Sequence, residues 1–123
     1  MSTPFEPMLE SLSRQRFVTA ALVVSERDGI VVDSNIQIGQ SGDRVAALAA
    51  ALFRKARLSA KAAGMGAVSF MQLEAPNGRI CAAGAGDLVV VVTTGAGVNV
   101  GLVRVELLRA AAEIAALSER GFR

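Results

Sequence analysis

The chain has 123 residues, 52% of them apolar, and a formal net charge of +2. That length and composition predict one globular domain, residues 1–123, with a single core and a disordered stretch confined to residues 1–3; they exclude an intrinsically disordered chain. The slight basic excess comes without Trp or Tyr and with five Phe, too few stacking platforms for a nucleic-acid reader, and no apolar run approaches the ~20 residues that span a bilayer.

From the N-terminus, "MSTPFEPMLE" has neither a basic segment nor an apolar one of the kind that signal peptides carry, so a cytoplasmic protein is expected. Thr3, Pro4 and Glu6 resemble a capped helix start, and Phe5, Leu9 and Leu12 recur at helical spacing, which predicts a short helix ending near Gln15. "VTAALVVSE" (18–26) and "IVVDSN" (30–35) read as strands, with Gly29 of the intervening "RDG" supplying the positive φ of a tight hairpin. "IQIGQSGD" is a loop. Residues 43–63 form an Ala-rich helix that Asp43 can cap and Gly64 and Gly66 end.

"AVSFMQLEA" and "RICAAGAG" read as strands joined around Asn77-Gly78. "DLVVVVTT" is continuously apolar and is expected to be a central strand covered on both faces. Asn99 can cap a last helix to about Leu117, with Val100, Val103, Leu107, Ala111 and Ile114 along one face. The predicted order is α-β-β-α-β-β-β-α.

No chemistry-bearing motif stands out. A dinucleotide fingerprint needs glycine at its first, third and sixth positions; after Gly95 and Gly97 the sixth is Val100, and Gly101 comes one place late. No Gly-Lys-Ser/Thr ends a phosphate loop. A calcium loop starting at Asp33 would put Arg44 where a bidentate carboxylate is required. With no His and a single Cys81, the usual general base and the soft metal ligands are missing. The reading is therefore no catalytic residue, no cofactor, no metal and no small-molecule substrate.

The middle helix carries more apolar surface than one sheet needs. Projected at ~100° per residue, Val45, Leu48, Ala49, Leu52, Phe53, Ala56 and Ala63 make a broad face expected to cover the sheet. Arg54, Arg57 and Lys61 fall on the opposite side, flanked by Lys55, with no acid beyond Asp43 to neutralise them; they are the candidate partner-binding residues. Between these sectors Ala47, Ala51, Leu58 and Ala62 form a second apolar stripe. Two readings of the stripe stand: alanine as simply the best helix former, or alanine as the residue that allows another helix to approach. The strand residues Phe70, Met71, Gln72 and Leu73 would form an apolar sheet edge, which needs cover or pairing. Stripe and edge together are the candidate homodimer interface.

In this order, "LVVSERDGIVVDSN", "DRVAALAAALFRKA" and "DLVVVVTT" leading into "VNVGLVRVELLRAAAEI" resemble the roadblock family, which includes roadblock-type dynein light chains and bacterial regulators of gliding-motility GTPases. The likeness runs from about Met8 to Leu117. It implies an α+β fold with a five-stranded antiparallel sheet, the middle helix on one face and the terminal helices on the other. It also implies a homodimer with a continuous sheet, acting as a non-enzymatic module that binds and regulates a Ras-like small GTPase, or as a structural adaptor without effect on turnover. The Gly95-Ala96-Gly97 turn and the short, proline-bearing first helix depart from the family's usual pattern.

Overall fold

The computed structural model describes residues 3–16, 18–36 and 42–120. Among them the elements follow the order α1 (Glu6–Ser13), β1 (Val18–Ser25), β2 (Val31–Ile36), α2 (Gly42–Ala62), β3 (Phe70–Ala75), β4 (Gly78–Ala85), β5 (Leu88–Thr94) and α3 (Val100–Glu119). The strands form one antiparallel sheet in the order β2-β1-β5-β4-β3. This is the α+β architecture expected from the sequence.

The central strand β5 explains the layering. Its side chains alternate between faces, so a run of four valines is apolar on both. Val89 and Val91 pack with Leu22, Ala49 and Phe53 beneath α2. Val90 and Val92 pack with Leu9, Leu107 and Ile114 beneath α1 and α3. All four valines are fully buried. Two cores on opposite faces of one sheet hold the three helices in place.

Element ends show local chemistry at work. At the end of α2, Gly64 adopts φ 71°, while Met65 N donates to Ala60 O at 2.9 Å and Gly64 N to Lys61 O at 3.1 Å. This paired arrangement satisfies carbonyls that the helix leaves open. Asn99 caps α3 as expected, its side chain accepting from Leu102 N at 3.2 Å.

Several boundaries differ from the sequence reading. The middle helix starts at Gly42, so Asp43 lies in its first turn, where its charge meets the positive helix end, and is not the cap. The first helix ends at Ser13, and its start lacks a side-chain cap; Thr3 instead receives Glu6 N on its carbonyl and Phe5 N on its hydroxyl, each at 3.2 Å. Thr3 also donates to Asp33, so it is tied to β2 although disorder was expected there. The disorder expected at residues 1–2, and most of the loop expected at 36–43, lie outside the described residues. The β3–β4 turn centres on Pro76-Asn77, since Ala75 pairs with Gly78. Residues 67–69, expected to be strand, precede β3 without joining the ladder.

Candidate functional site

The outer face of α2 and the neighbouring sheet edge carry the candidate residues. Ala46, Ala49, Ala50 and Phe53 turn into the core. Half a turn away, Leu48, Ala51, Lys55, Leu58 and Ala62 are all exposed. Leu48, assigned to the sheet face from the projection, is 46% exposed, and Ala63 is exposed as well. The buried centre of the helix lies about one residue from where the apolar residues alone placed it, because alanines of α2 are close-packing contacts and not just filler. Ala47 is exposed, and its Cα would lie 3.1 Å from a Cβ placed on Gly29. The N-terminal end of the expected stripe thus lies against the chain's own β1–β2 turn.

At the sheet edge, β3 has β4 on one side and, among the described residues, no strand on the other. Met71 packs toward the α2 core and Phe70 toward the opposite core. By strand alternation Leu73, 43% exposed, shares the α2 face with Met71, whereas Gln72 goes with Phe70. Leu58 on α2 is 53% exposed. The apolar exposure of α2 and of the strand edge therefore lies on one side of the molecule.

The expected basic sector divides. One terminal nitrogen of Arg54 donates to the carbonyls of Glu26 and Arg27, at 2.9 Å each. Arg57 donates through Nε and a terminal nitrogen to Glu26 Oε1, at 2.9 and 2.6 Å. These two arginines fasten the β1–β2 hairpin to α2. Glu26 is the neutralising acid that the helix sequence lacks, and its role is invisible there because it lies 31 residues from Arg57. Lys55 and Lys61 are exposed. Lys55 stands in the line of Ala51 and Leu58, not on the arginine flank.

An open cleft of about 760 Å³ borders this clamp, between the β1–β2 and β4–β5 turns, lined by Arg27, Arg54, Arg57, Glu26 and Asp87 among others. In the β1–β2 turn, Asp28 accepts Ile30 N at 3.1 Å, a bond that holds its carboxyl below the ordinary value. The glycine turn before α3 holds φ 80° at Gly97. With Asn99 occupying the first-turn amide of Leu102, that turn serves as a corner leading into a capped helix. No group of three or more His, Cys, Asp or Glu residues suited to a metal occurs among the described residues. Nor is any helix among them long and apolar enough to cross a membrane.

Comparison with known proteins gives the same picture. The sequence matches the Roadblock/LC7 domain family over residues 4–94. Two uncharacterised proteins of Methanocaldococcus jannaschii are each 33% identical to it over 110 residues, covering 89% of this chain and 96% of theirs. Among solved structures, Myxococcus xanthus MglB superposes with a TM-score of 0.85 at 20% identity, over 96% of this chain and 97% of that one. The gliding protein MglB from Thermus thermophilus superposes with a TM-score of 0.83 at 19% identity, over 98% and 95% of the two chains. A Roadblock/LC7 domain from Streptomyces avermitilis gives 0.82 at 20% identity, over 91% and 95%. With the family match spanning most of its length and the fold shared throughout, the chain belongs to the Roadblock/LC7 domain family.

Proposed function

We propose that the protein is a cytoplasmic, non-enzymatic homodimeric module that binds and regulates a Ras-like small GTPase. The observation that carries this reading is the apolar outer line of α2 beside the β3 edge. Leu48, Ala51, Leu58 and Ala62 share an exposed face with Leu73, and the edge strand has free ladder positions. A helix and an edge exposed on one side fit a second copy that pairs both at once. Family membership and the MglB-like fold support the regulatory assignment.

The dimer interface of this reading comprises Ala47, Ala51, Leu58 and Ala62 with Phe70, Met71, Gln72 and Leu73. The partner surface comprises Arg54, Lys55, Arg57 and Lys61, with Lys61 the most direct probe, since Arg54 and Arg57 are also hairpin fasteners. The test is single-turnover GTP hydrolysis by a Ras-like small GTPase of the same organism, with and without the protein, together with direct binding. Binding that changes turnover is expected. Binding without any change in turnover would assign the adaptor role, and absence of binding would overturn the GTPase reading.

A further inference from the structure

Arg54 and Arg57 stand three residues apart on α2 and so share one side of the helix. That side meets the two turns at one end of the sheet. The turns are themselves tied together, since Glu26 N donates to the Asp87 carbonyl at 3.1 Å. The cleft of about 760 Å³ at this junction is lined by Glu26, Arg27, Arg54, Arg57, Gly86 and Asp87 among others. Gly86 turns with φ 67°, and a Cβ there would meet nothing within 4 Å, so the β4–β5 turn stands clear on its side of the cleft.

The two α2 arginines use their donors differently. A guanidinium carries five N–H groups in a fixed planar arrangement. Arg54 applies one terminal nitrogen to the carbonyls of Glu26 and Arg27. Those acceptors are neutral, so they orient the group without cancelling its charge. The side-on edge of Arg54, Nε with the other terminal nitrogen, has no acceptor among the described residues. Arg57 directs Nε and a terminal nitrogen to a single oxygen of Glu26, at 2.9 and 2.6 Å. The acid nearest the clamp is thus committed to Arg57, and Arg54 keeps both its charge and a preset pair of donors.

Charge decides which ligand suits this arrangement. Three guanidinium groups and two carboxylates line the cleft, which leaves one positive charge in excess. A single carboxylate cancels that excess, and its two oxygens match the edge of a guanidinium. A phosphate group, at about −1.5 to −2, carries more charge than the excess and meets repulsion from Glu26 and Asp87. We propose that the cleft is a carboxylate-binding site in which the side-on edge of Arg54 takes both ligand oxygens, with Arg27 and Arg57 adding charge from the flanks. The site is built within one protomer, so it requires neither a second copy nor a GTPase. Its carboxylate comes from a small organic acid or from an Asp or Glu side chain of another protein, with the same chemistry at Arg54.

Nuclear magnetic resonance of the full chain tests this, followed at the arginine Nε–H signals and at the Gly86 and Asp87 amides while sodium acetate replaces NaCl at constant ionic strength. Acetate is expected to shift these signals saturably, with a millimolar dissociation constant, and inorganic phosphate to bind more weakly. Arg54→Lys keeps a charge and a donor for the hairpin carbonyls but loses the planar edge, and is expected to weaken acetate at least about fivefold. Asp87→Asn removes a repelling charge and is expected to strengthen acetate about twofold or more, whereas Lys61→Gln, outside the cleft, changes nothing. A blocked peptide carrying one Glu separates the two sources: binding tighter than acetate assigns the site to a protein side chain, and equal or weaker binding assigns it to a small acid. Acetate acting no differently from chloride overturns the proposal. Phosphate bound in preference to acetate does the same, as does an acetate affinity that Asp87→Asn fails to raise. If the hairpin amides show that Arg54→Lys disturbs the fold, the Asp87→Asn result decides alone. None of these outcomes bears on the GTPase reading, which is measured by hydrolysis and direct binding.

Discussion

At Gly78, the glycine is explained by a neighbour rather than by a turn angle. A Cβ there would come within 2.5 Å of the Thr94 carbonyl oxygen, a backbone atom that cannot swing aside. Gly78→Ala should therefore destabilise the fold by about 1–3 kcal/mol, read from the shift of the denaturant midpoint. An unchanged midpoint would mean that the β4–β5 ladder adjusts without strain. Cys81 gives a second test. Burial raises its thiol above the usual value of 9.0, so the folded chain holds its proton more tightly than the unfolded chain. The stability linked to that proton is fully present below pH 9.0 and declines as pH rises through the folded value. Cys81→Ala should flatten this alkaline decline, and a thiol reagent should react with the wild type only as it unfolds. Rapid labelling of the native protein at neutral pH would contradict the buried placement.

Among the elements, the β1–β2 hairpin is more than a link between strands. Gly29 turns with φ 71° and lets the chain approach α2 at Ala47 and Ala50. Arg54 then takes two hairpin carbonyls from the helix side. Losing charge-assisted bonds of this kind costs about 1–3 kcal/mol, so Arg54→Ala should destabilise by that order and speed hydrogen exchange around residues 25–31. Arg57→Ala should cost less, because the Arg57 side chain is 42% exposed and solvent screens its pairing with Glu26. If both variants exchange like wild type, the hairpin does not depend on the clamp. The same geometry affects any functional test: reversing both arginines would release the hairpin as well as alter surface charge. Lys61→Glu changes the charge without that side effect and should weaken GTPase binding in a salt-dependent way; unaltered affinity and salt dependence would move the partner site elsewhere.

For the whole molecule, the decisive variants are those that alter assembly but leave the protomer intact. Ala51 is exposed, so Ala51→Glu should leave the protomer folded while placing a carboxylate from each copy in the proposed helix seam. Dimer dissociation should become at least about tenfold easier by sedimentation, since like charges in a desolvated contact are costly. A variant as dimeric as wild type would remove α2 from the interface without disproving association through β3. Calorimetry with GTP or NAD should show no saturable micromolar site, as expected of a glycine turn that leads into an Asn99-capped helix. Such a site would reopen Gly95, Gly97 and Gly101 as ligand contacts.

Much of the fold was legible in the sequence because its signals are local. Alternation of side chains, the four-valine run from Val89 to Val92, Gly29 between two β-rich segments and Asn99 before α3 each specify structure through near neighbours. Local signals also put most of Ala51, Leu58 and the strand edge on the outside. What only the tertiary structure decided depends on residues far apart in the chain. The rotation of α2 that exposes Leu48 follows from how Phe53, Ala46 and Ala49 seat on the sheet while Ala50 turns toward Gly29. The partition of the cations depends on Glu26 and the hairpin carbonyls, brought to Arg54 and Arg57 from 27 to 31 residues away. The need for glycine at position 78 comes from the end of β5, sixteen residues later. Periodicity can give the face on which a residue lies, but which distant group meets it there is fixed only when the sheet and its helices pack.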